Sequence, residues 1–299
     1  MSTSFSLALA GLVGLLPTLA VPSVLAAERC AVDDMDRKVC IEAPAARIAT
    51  LSPGATELVY AAGAGEKVVA VVSHSDYPPA AKQVQSVGSH TRLDLEALVA
   101  LKPDLLIGWT TGNPSEQVDK LEALGLTLFF IEPRDFEGVA TAIERLALLF
   151  GTASEGDAVA AHFREGIAEL ARRYKDVAPV EVFYQVWDEP LMTVNDEHLI
   201  GKVLTLCGGR NVFGGLDRLV PRIDIEAVLA SNPEVIIAGG MGEENPQWLT
   251  PWGTYEHLKA VKQDNLFFVP PSLIQRPTPR LLEGSQVVCE KLEQARARR

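Results

Sequence analysis

Residues 92–110 read RLDLEALVALKPDLLIGWT, and residues 222–240 read RIDIEAVLASNPEVIIAGG. At an offset of 130 residues, Arg92, Asp94, Glu96, Ala97, Ala100 and Pro103 fall on Arg222, Asp224, Glu226, Ala227, Ala230 and Pro233. Most of the other apolar positions exchange for apolar residues. In each copy an aspartate precedes a short apolar run, a proline closes it, and a second apolar run follows. That pattern predicts a helix with an Asp N-cap, a stop before proline, and a buried strand. The chain therefore writes one helix-strand unit twice.

Working outward, the same alternation continues on both sides. ARIATL reads as a strand, PGATELVYAAGAG as a loop and helix closed by glycine, and KVVAVVS as the next strand. GLTLFFIE is a further strand, and FEGVATAIERLALLFG is an amphipathic helix. After Pro179 the order restarts with VEVFYQVW, LIGKVLTLCGG, the second copy of the unit, NLFFVP, and the helix PRLLEGSQVVCEKLEQA. Between the two series, Ser154 to Lys175 shows helical spacing with only two glycines against it. At ~1.5 Å per residue it spans about 33 Å, enough to cross a lobe.

The expected fold class is thus α/β: two Rossmann-like lobes with mostly parallel sheets, joined by one long backbone helix. The divisions expected are residues 1–26 as a signal peptide, 27–46 as an N-terminal hairpin, 47–152 as the first lobe, 153–178 as the connecting helix and 179–299 as the second lobe. No Gly-rich phosphate fingerprint follows the first strand of either lobe, which argues against a nucleotide site.

Composition narrows the function. The net charge is −12 over 299 residues, and nothing basic and clustered is available to track phosphates, which excludes a nucleic-acid partner. The first 26 residues carry no charged side chain. Their apolar run reads as a signal peptide cleaved after Ala26, with a membrane anchor as the alternative. Arg29 beside Cys30 does not suit lipid attachment, so the mature protein is expected to be soluble and exported, with no membrane insertion of its own; a monomer is expected.

In an oxidising compartment the four cysteines allow three pairings. Cys30 and Cys40 flank AVDDMDRKV, a hairpin with its turn at Asp33 to Asp36, where cross-strand pairing is natural; Cys207 and Cys289 remain. Chain-entropy arguments give roughly 3 kcal/mol for the small loop and about 4.5 kcal/mol for the large one. Four reduced, buried thiols are the alternative.

In parallel sheets the functional loops lie at the carboxyl ends of strands. Those ends carry Ser52, Pro53 and Gly54, the stretch His74 to Tyr77, Trp109, Trp187, and Leu273 to Arg276, with Trp248 and Trp252 beyond the second copy. All four tryptophans are expected on loops, where they suit a flat, partly apolar ligand; local packing is the plainer account of each one singly. His74 and His90 are possible metal ligands or ordinary surface histidines. His74, Asp76 and His90 together raise the alternative of a metal-dependent enzyme, although no nucleophile or base is spaced to serve it.

TLSPGATELVYAAGAG, SHSDYPP, LDLEALVALKPDLLIGW, LCGGRNVF, IDIEAVLASNPEVII and QRPTPRLLEG resemble the helical-backbone class of ABC-transporter substrate-binding proteins, most closely its cobalamin-binding branch. The resemblance runs from Arg47 to about Leu292. It implies no catalysis and a cobalamin or related corrinoid as transported ligand; haem and ferric siderophores are the class's other cargoes. It also implies ligand contacts at Pro53, Gly54, His74, His90, Trp109, Met192, Ser272, Leu273, Ile274, Gln275 and Arg276. His74 is then a possible axial ligand to cobalt or iron. The Cys207 to Cys289 pairing matches that branch's disulfide, whereas Cys30 and Cys40 have no counterpart in it. Where the branch's prototype has aromatic residues at two cleft positions this chain has His74 and His90, and Met192 replaces a phenylalanine. Glu96 and Glu226 match residues that dock on the two subunits of an importer permease. The plainer account of each is a carboxylate in a first helical turn, favourable by ~0.3–1 kcal/mol without a partner.

Overall fold

In the computed structural model of the chain, residues 28–239 and 242–299 are described. The signal peptide read over 1–26 lies outside them. The first lobe holds β3 (Ile48–Thr50), β4 (Val68–Ala70), β7 (Leu105–Trp109) and β8 (Leu128–Ile131) in one parallel sheet ordered β4-β3-β7-β8. The second holds β9 (Val180–Gln185), β10 (Gly209–Asn211), β11 (Val235–Ala238) and β12 (Leu266–Phe268), parallel and ordered β10-β9-β11-β12. The two orders are the same when each lobe is counted from its own first strand. The α/β class expected from the sequence is what forms, and each sheet reverses its winding between its first and third strands.

Two antiparallel pairs stand apart: β1 (Arg29–Val32) with β2 (Lys38–Ile41), and β5 (Gly88–Ser89) with β6 (Arg92–Leu93). Cys30 and Cys40 face each other in the first of these and form a disulfide. A second disulfide joins Cys207 to Cys289, so both pairings suggested by the sequence occur.

The repeated unit is repeated in detail. Helix α2 (Leu95–Leu101) begins with Asp94 accepting from Ala97 N at 3.0 Å, and α7 (Ile225–Ser231) with Asp224 accepting from Ala227 N at 2.8 Å. Both end in a left-handed residue, Lys102 and Asn232. Two residues later Asp104 accepts from Arg47 N, and the equivalent Glu234 accepts from Glu181 N, so each copy also ties its strand to the neighbouring one.

The remaining helices of the first lobe are α1 (Pro53–Ala61), α3 (Ser115–Ala123) and α4 (Phe136–Phe150). The backbone helix α5 runs Ala153–Tyr174, one residue off the predicted span at each end. Its two glycines are where it meets its neighbours. A Cβ on Gly156 would stand 2.3 Å from Ala147 of α4, and one on Gly166 would stand 2.3 Å from Leu282. Leu282 belongs to α10 (Leu281–Ala297) of the second lobe, so the glycines allow close approach to one lobe each. Arg164 adds ion pairs to Glu137 and Glu144 of α4. No described helix is long and apolar enough to cross a membrane.

Helices α6 (Leu199–Leu206), α8 (Lys259–Lys262) and α9 (Pro271–Ile274) complete the second lobe. His198, unremarkable in the sequence, caps α6: its Nδ1 accepts from Ile200 N at 3.1 Å, and burial lowers its pKa to about 4. The unfolded chain takes up that proton near pH 6.5 and the folded chain does not. Stability is therefore full above about pH 6.5, falls as pH drops toward 4, and loses nothing further from this group below that, up to about 3 kcal/mol in all. His198→Asn keeps a capping acceptor without a titrating ring. It is expected to flatten the decline between pH 6.5 and 4 in urea melts.

Candidate functional site

The carboxyl ends of the strands open into a cleft of about 500 Å³ between the lobes. From the first lobe it is lined by Ser52, Pro53 and Gly54 after β3, by His74 and His90, by Trp109 at the end of β7, and by Glu132 and Pro133 after β8. The second lobe contributes Trp187, Glu243, Pro271, Ser272, Gln275, Arg276 and Pro277.

Local chemistry sets these positions. Ser52 caps α1 by accepting from Ala55 N at 3.1 Å, which turns Pro53 and Gly54 along the cleft wall. His74 sits on a left-handed turn at φ 67°, an uncommon conformation for a side chain larger than glycine. Its carbonyl accepts from Arg276 at 3.1 Å. Asn113, almost wholly buried, is the hub under Trp109: its Oδ1 accepts from Trp109 N at 2.7 Å, and its Nδ2 donates to the carbonyls of Leu51 and His90. The rings of His90 and Trp109 lie 5.7 Å apart, tilted by 46°.

Of the residues named from the sequence, Pro53, Gly54, His74, His90, Trp109, Ser272, Gln275 and Arg276 line this one cleft. Met192 is not on that lining; its backbone pairs with Trp187 and Arg222. Leu273 and Ile274 are buried, the latter in the main core and at the edge of an adjoining space that shares Trp109, Glu132 and Gln275 with the cleft.

The expectation for the tryptophans needs correction. Trp252 is 4% exposed inside the second lobe, edge-on to Phe183, with Nε1 donating to Gln185 at 2.7 Å. Trp252 lies in a short 3-10 helix, Gln247–Thr254, and a buried acceptor for its N–H lets the ring pack inward. Trp248 packs edge-on against Trp187 at 5.6 Å, leaving Trp109 and Trp187 as the two that face the cleft.

Charge is arranged across the lobes. Arg276 Nη1 donates to Glu57 Oε1 and to Asp76 Oδ1, each at 2.8 Å. Glu57, only 2% exposed at its side chain, also accepts from Thr278 Oγ1 at 2.8 Å and lies 3.5 Å from Arg280. Burial opposes ionisation of Asp76, but the hydrogen bond and charge of Arg276 outweigh it and hold this carboxyl below the usual carboxylate range. Asp76 is thus paired with an arginine of the other lobe. Among the described residues, the group that brings three potential metal-ligating atoms together is Glu28 with the disulfide-bonded Cys30 and Cys40, not His74, Asp76 and His90. Among the described residues, Arg276 is the only arginine or lysine lining this space, with Glu132 and Glu243 as its acidic members; Arg134 and Lys202 line the adjoining space, which shares Trp109, Glu132, Pro133, Gln275 and Pro277 with it.

Sequence reasoning passed over Glu132, Glu243 and Asn113. Glu132 had a signal, because it directly follows the apolar run of β8 at a strand end. The other two lie in loops whose path only the packed lobes determine.

The profile of the periplasmic binding protein family matches residues 48–273. The vitamin B12-binding protein of a Vibrio cholerae O1 strain is 36% identical over 250 residues, covering 84% of this chain and 90% of that one. The vitamin B12-binding protein of Yersinia pestis is 33% identical over 248 residues, 83% and 86% of the two chains. Among solved structures, the periplasmic vitamin B12-binding protein BtuF of Vibrio cholerae superposes with a TM-score of 0.76 at 36% identity, over 85% of this chain and 98% of that one. A periplasmic haem-binding protein from Roseiflexus shares the fold at a TM-score of 0.73 and 24% identity, over 83% and 98% of the two chains.

Proposed function

This chain belongs to the periplasmic binding protein family, and on that premise we propose that it captures cobalamin or a related corrinoid in the interlobe cleft, in the periplasm, and delivers it to an ABC importer. It is a solute-binding protein and not an enzyme. The observation that carries the ligand reading is the charge of the cleft. Among the described residues Arg276, the cation lining this space, is neutralised by Glu57 and Asp76, and Glu132 and Glu243 line it too; Arg134 and Lys202 of the adjoining space are paired with Glu132 at 3.8 Å and Glu197 at 4.0 Å. A corrinoid presents a rim of carboxamide donors around a cationic metal, which suits acceptors and aromatic faces. A haem with propionates, or a carboxylate siderophore, needs an unpaired cation to meet its charge.

The test is calorimetric titration of the purified protein with cyanocobalamin, dicyanocobinamide, haemin and a ferric siderophore. A corrinoid is expected to bind one per chain at micromolar affinity or better. Trp109→Ala is expected to weaken it by about 10- to 100-fold, as for a desolvated aromatic anchor. Haemin binding with no corrinoid binding would overturn the reading in favour of iron held by His74 and His90. Absorbance on the cobinamide complex of His74→Ala reports whether that imidazole reaches the metal.

For delivery, Glu96 and Glu226 are the docking residues in this reading. Each is exposed in the first turn of its helix, one per lobe, and neither lines the cleft.

A further inference from the structure

The hairpin of β1 and β2 precedes residue 48, where the family match begins, yet it contacts the backbone of Glu132, a residue of the cleft lining. Its turn lies along the open edge of β8. Asp34 N donates to Phe130 O at 2.9 Å, Asp33 Oδ2 accepts from Phe130 N at 3.3 Å, and Asp34 Oδ2 accepts from Glu132 N at 2.5 Å. The turn is itself held from several sides. Asp33, with no side-chain exposure, accepts from Met35 N, Arg37 N and the Arg37 guanidinium. Asp34 pairs with Arg145 of α4 at 2.7 Å. The disulfide closes the hairpin at its other end.

The residue so clamped, Glu132, enters the cleft with an incomplete set of partners. Its Oε1 accepts from Thr111 Oγ1 at 2.9 Å and lies 3.8 Å from Arg134, whereas its Oε2 is buried with no hydrogen-bond partner among the described residues. An unpaired buried carboxylate oxygen is costly, and the last side-chain torsion is soft enough to turn it toward a donor in the cleft. A carboxylate in that place attracts an N–H group and repels an acid.

We propose that Glu132 selects a carboxamide on the bound ligand against a carboxylate, and that the disulfide-closed hairpin is the element that positions it. The proposal rests on the corrinoid reading above. The peripheral substituents of such a ligand are the groups that Glu132 would sort: an amide N–H donates to it, and the corresponding acid meets a like charge in a desolvated site.

The experiment compares cyanocobalamin with the monocarboxylates made by hydrolysing one peripheral carboxamide at a time. Each is titrated into the parent, Glu132→Gln, Asp34→Ala and the double variant Cys30→Ala/Cys40→Ala, with melting curves to establish that each variant is folded. In the parent, at least one monocarboxylate is expected to bind about tenfold or more weakly than the amide form. In Glu132→Gln the same pair is expected within about threefold, chiefly because the acid binds better. The two hairpin variants are expected to shift the ratio the same way by a smaller factor, which a hairpin serving stability alone would not do. Ratios unchanged in Glu132→Gln, in a parent that binds cyanocobalamin, would overturn the role of Glu132. A shift in Glu132→Gln with none in either hairpin variant would overturn the role of the hairpin. A parent that binds no corrinoid would overturn the ligand reading itself, and this proposal with it.

Discussion

Glu57→Ala is expected to cost about 3–5 kcal/mol of folding stability, the usual penalty for removing one partner of a buried ion pair. Glu57 lies on α1 of the first lobe, and its carboxylate meets Arg276, Thr278 and Arg280 of the second. Truncation leaves the wholly buried Thr278 hydroxyl without its acceptor and the guanidinium of Arg276 with Asp76 and the His74 carbonyl alone. Glu57→Gln keeps the acceptor for Thr278 but loses the charge, so its loss should be smaller. Asp76, whose side chain is 42% exposed, is a partner more open to water, and Asp76→Asn should cost no more than about 1 kcal/mol. Urea unfolding of the three variants checks the order. A second consequence is chemical: with Glu57 gone, Arg276 becomes a cation with charge to spare on the cleft wall. Haemin binding should then rise relative to cobalamin binding in calorimetry. A stability loss under 1 kcal/mol for Glu57→Ala would mean that the lobes are held together elsewhere.

The double variant Glu96→Ala/Glu226→Ala is expected to abolish most corrinoid uptake while leaving corrinoid affinity within about twofold of the parent. Both carboxylates are exposed in the first turn of equivalent helices, with the same Asp cap three residues before an equivalent Ala N–H, so a permease of two like subunits would meet the same device on each lobe. Removing one partner of a desolvated ion pair commonly costs ~2–5 kcal/mol, and the two single variants should lose similar amounts. Uptake in vesicles reconstituted with the importer, measured beside calorimetry, separates docking from ligand binding. Normal uptake by the double variant would leave only the helix-end electrostatic benefit of these residues, worth about 1 kcal/mol or less. Lost ligand affinity would place them in the cleft after all.

Much of this architecture was legible in the chain because its causes are local. The Asp caps of α2 and α7, the apolar strands that follow them and the left-handed stops at Lys102 and Asn232 act within a few residues, so the repeat could be read as two equivalent units. The strand-and-helix alternation then limits the sheets to parallel order, and strand ends become the place to look for a site. By that route His74, Trp109 and Arg276 were placed on one cleft, His90 joined them through the family resemblance, and Glu132 could have been found with them.

The tertiary structure decided what depends on partners far away in sequence. Arg276 was named from the sequence only as a cleft contact; that Glu57, 219 residues earlier, takes its charge is set by packing. Trp252 looked like a loop residue facing the ligand until Gln185, 67 residues earlier, supplied a buried acceptor for its N–H. The acidic turn of the first hairpin gave no sign that it would cap the edge of β8, 98 residues later at Glu132. Local preferences act through the backbone over a turn or two and leave a period or a cap in the sequence. A buried charge or edge hydrogen bond requires only that its partner arrive, and the chain fixes that arrival by packing whole lobes rather than by any spacing between the two residues.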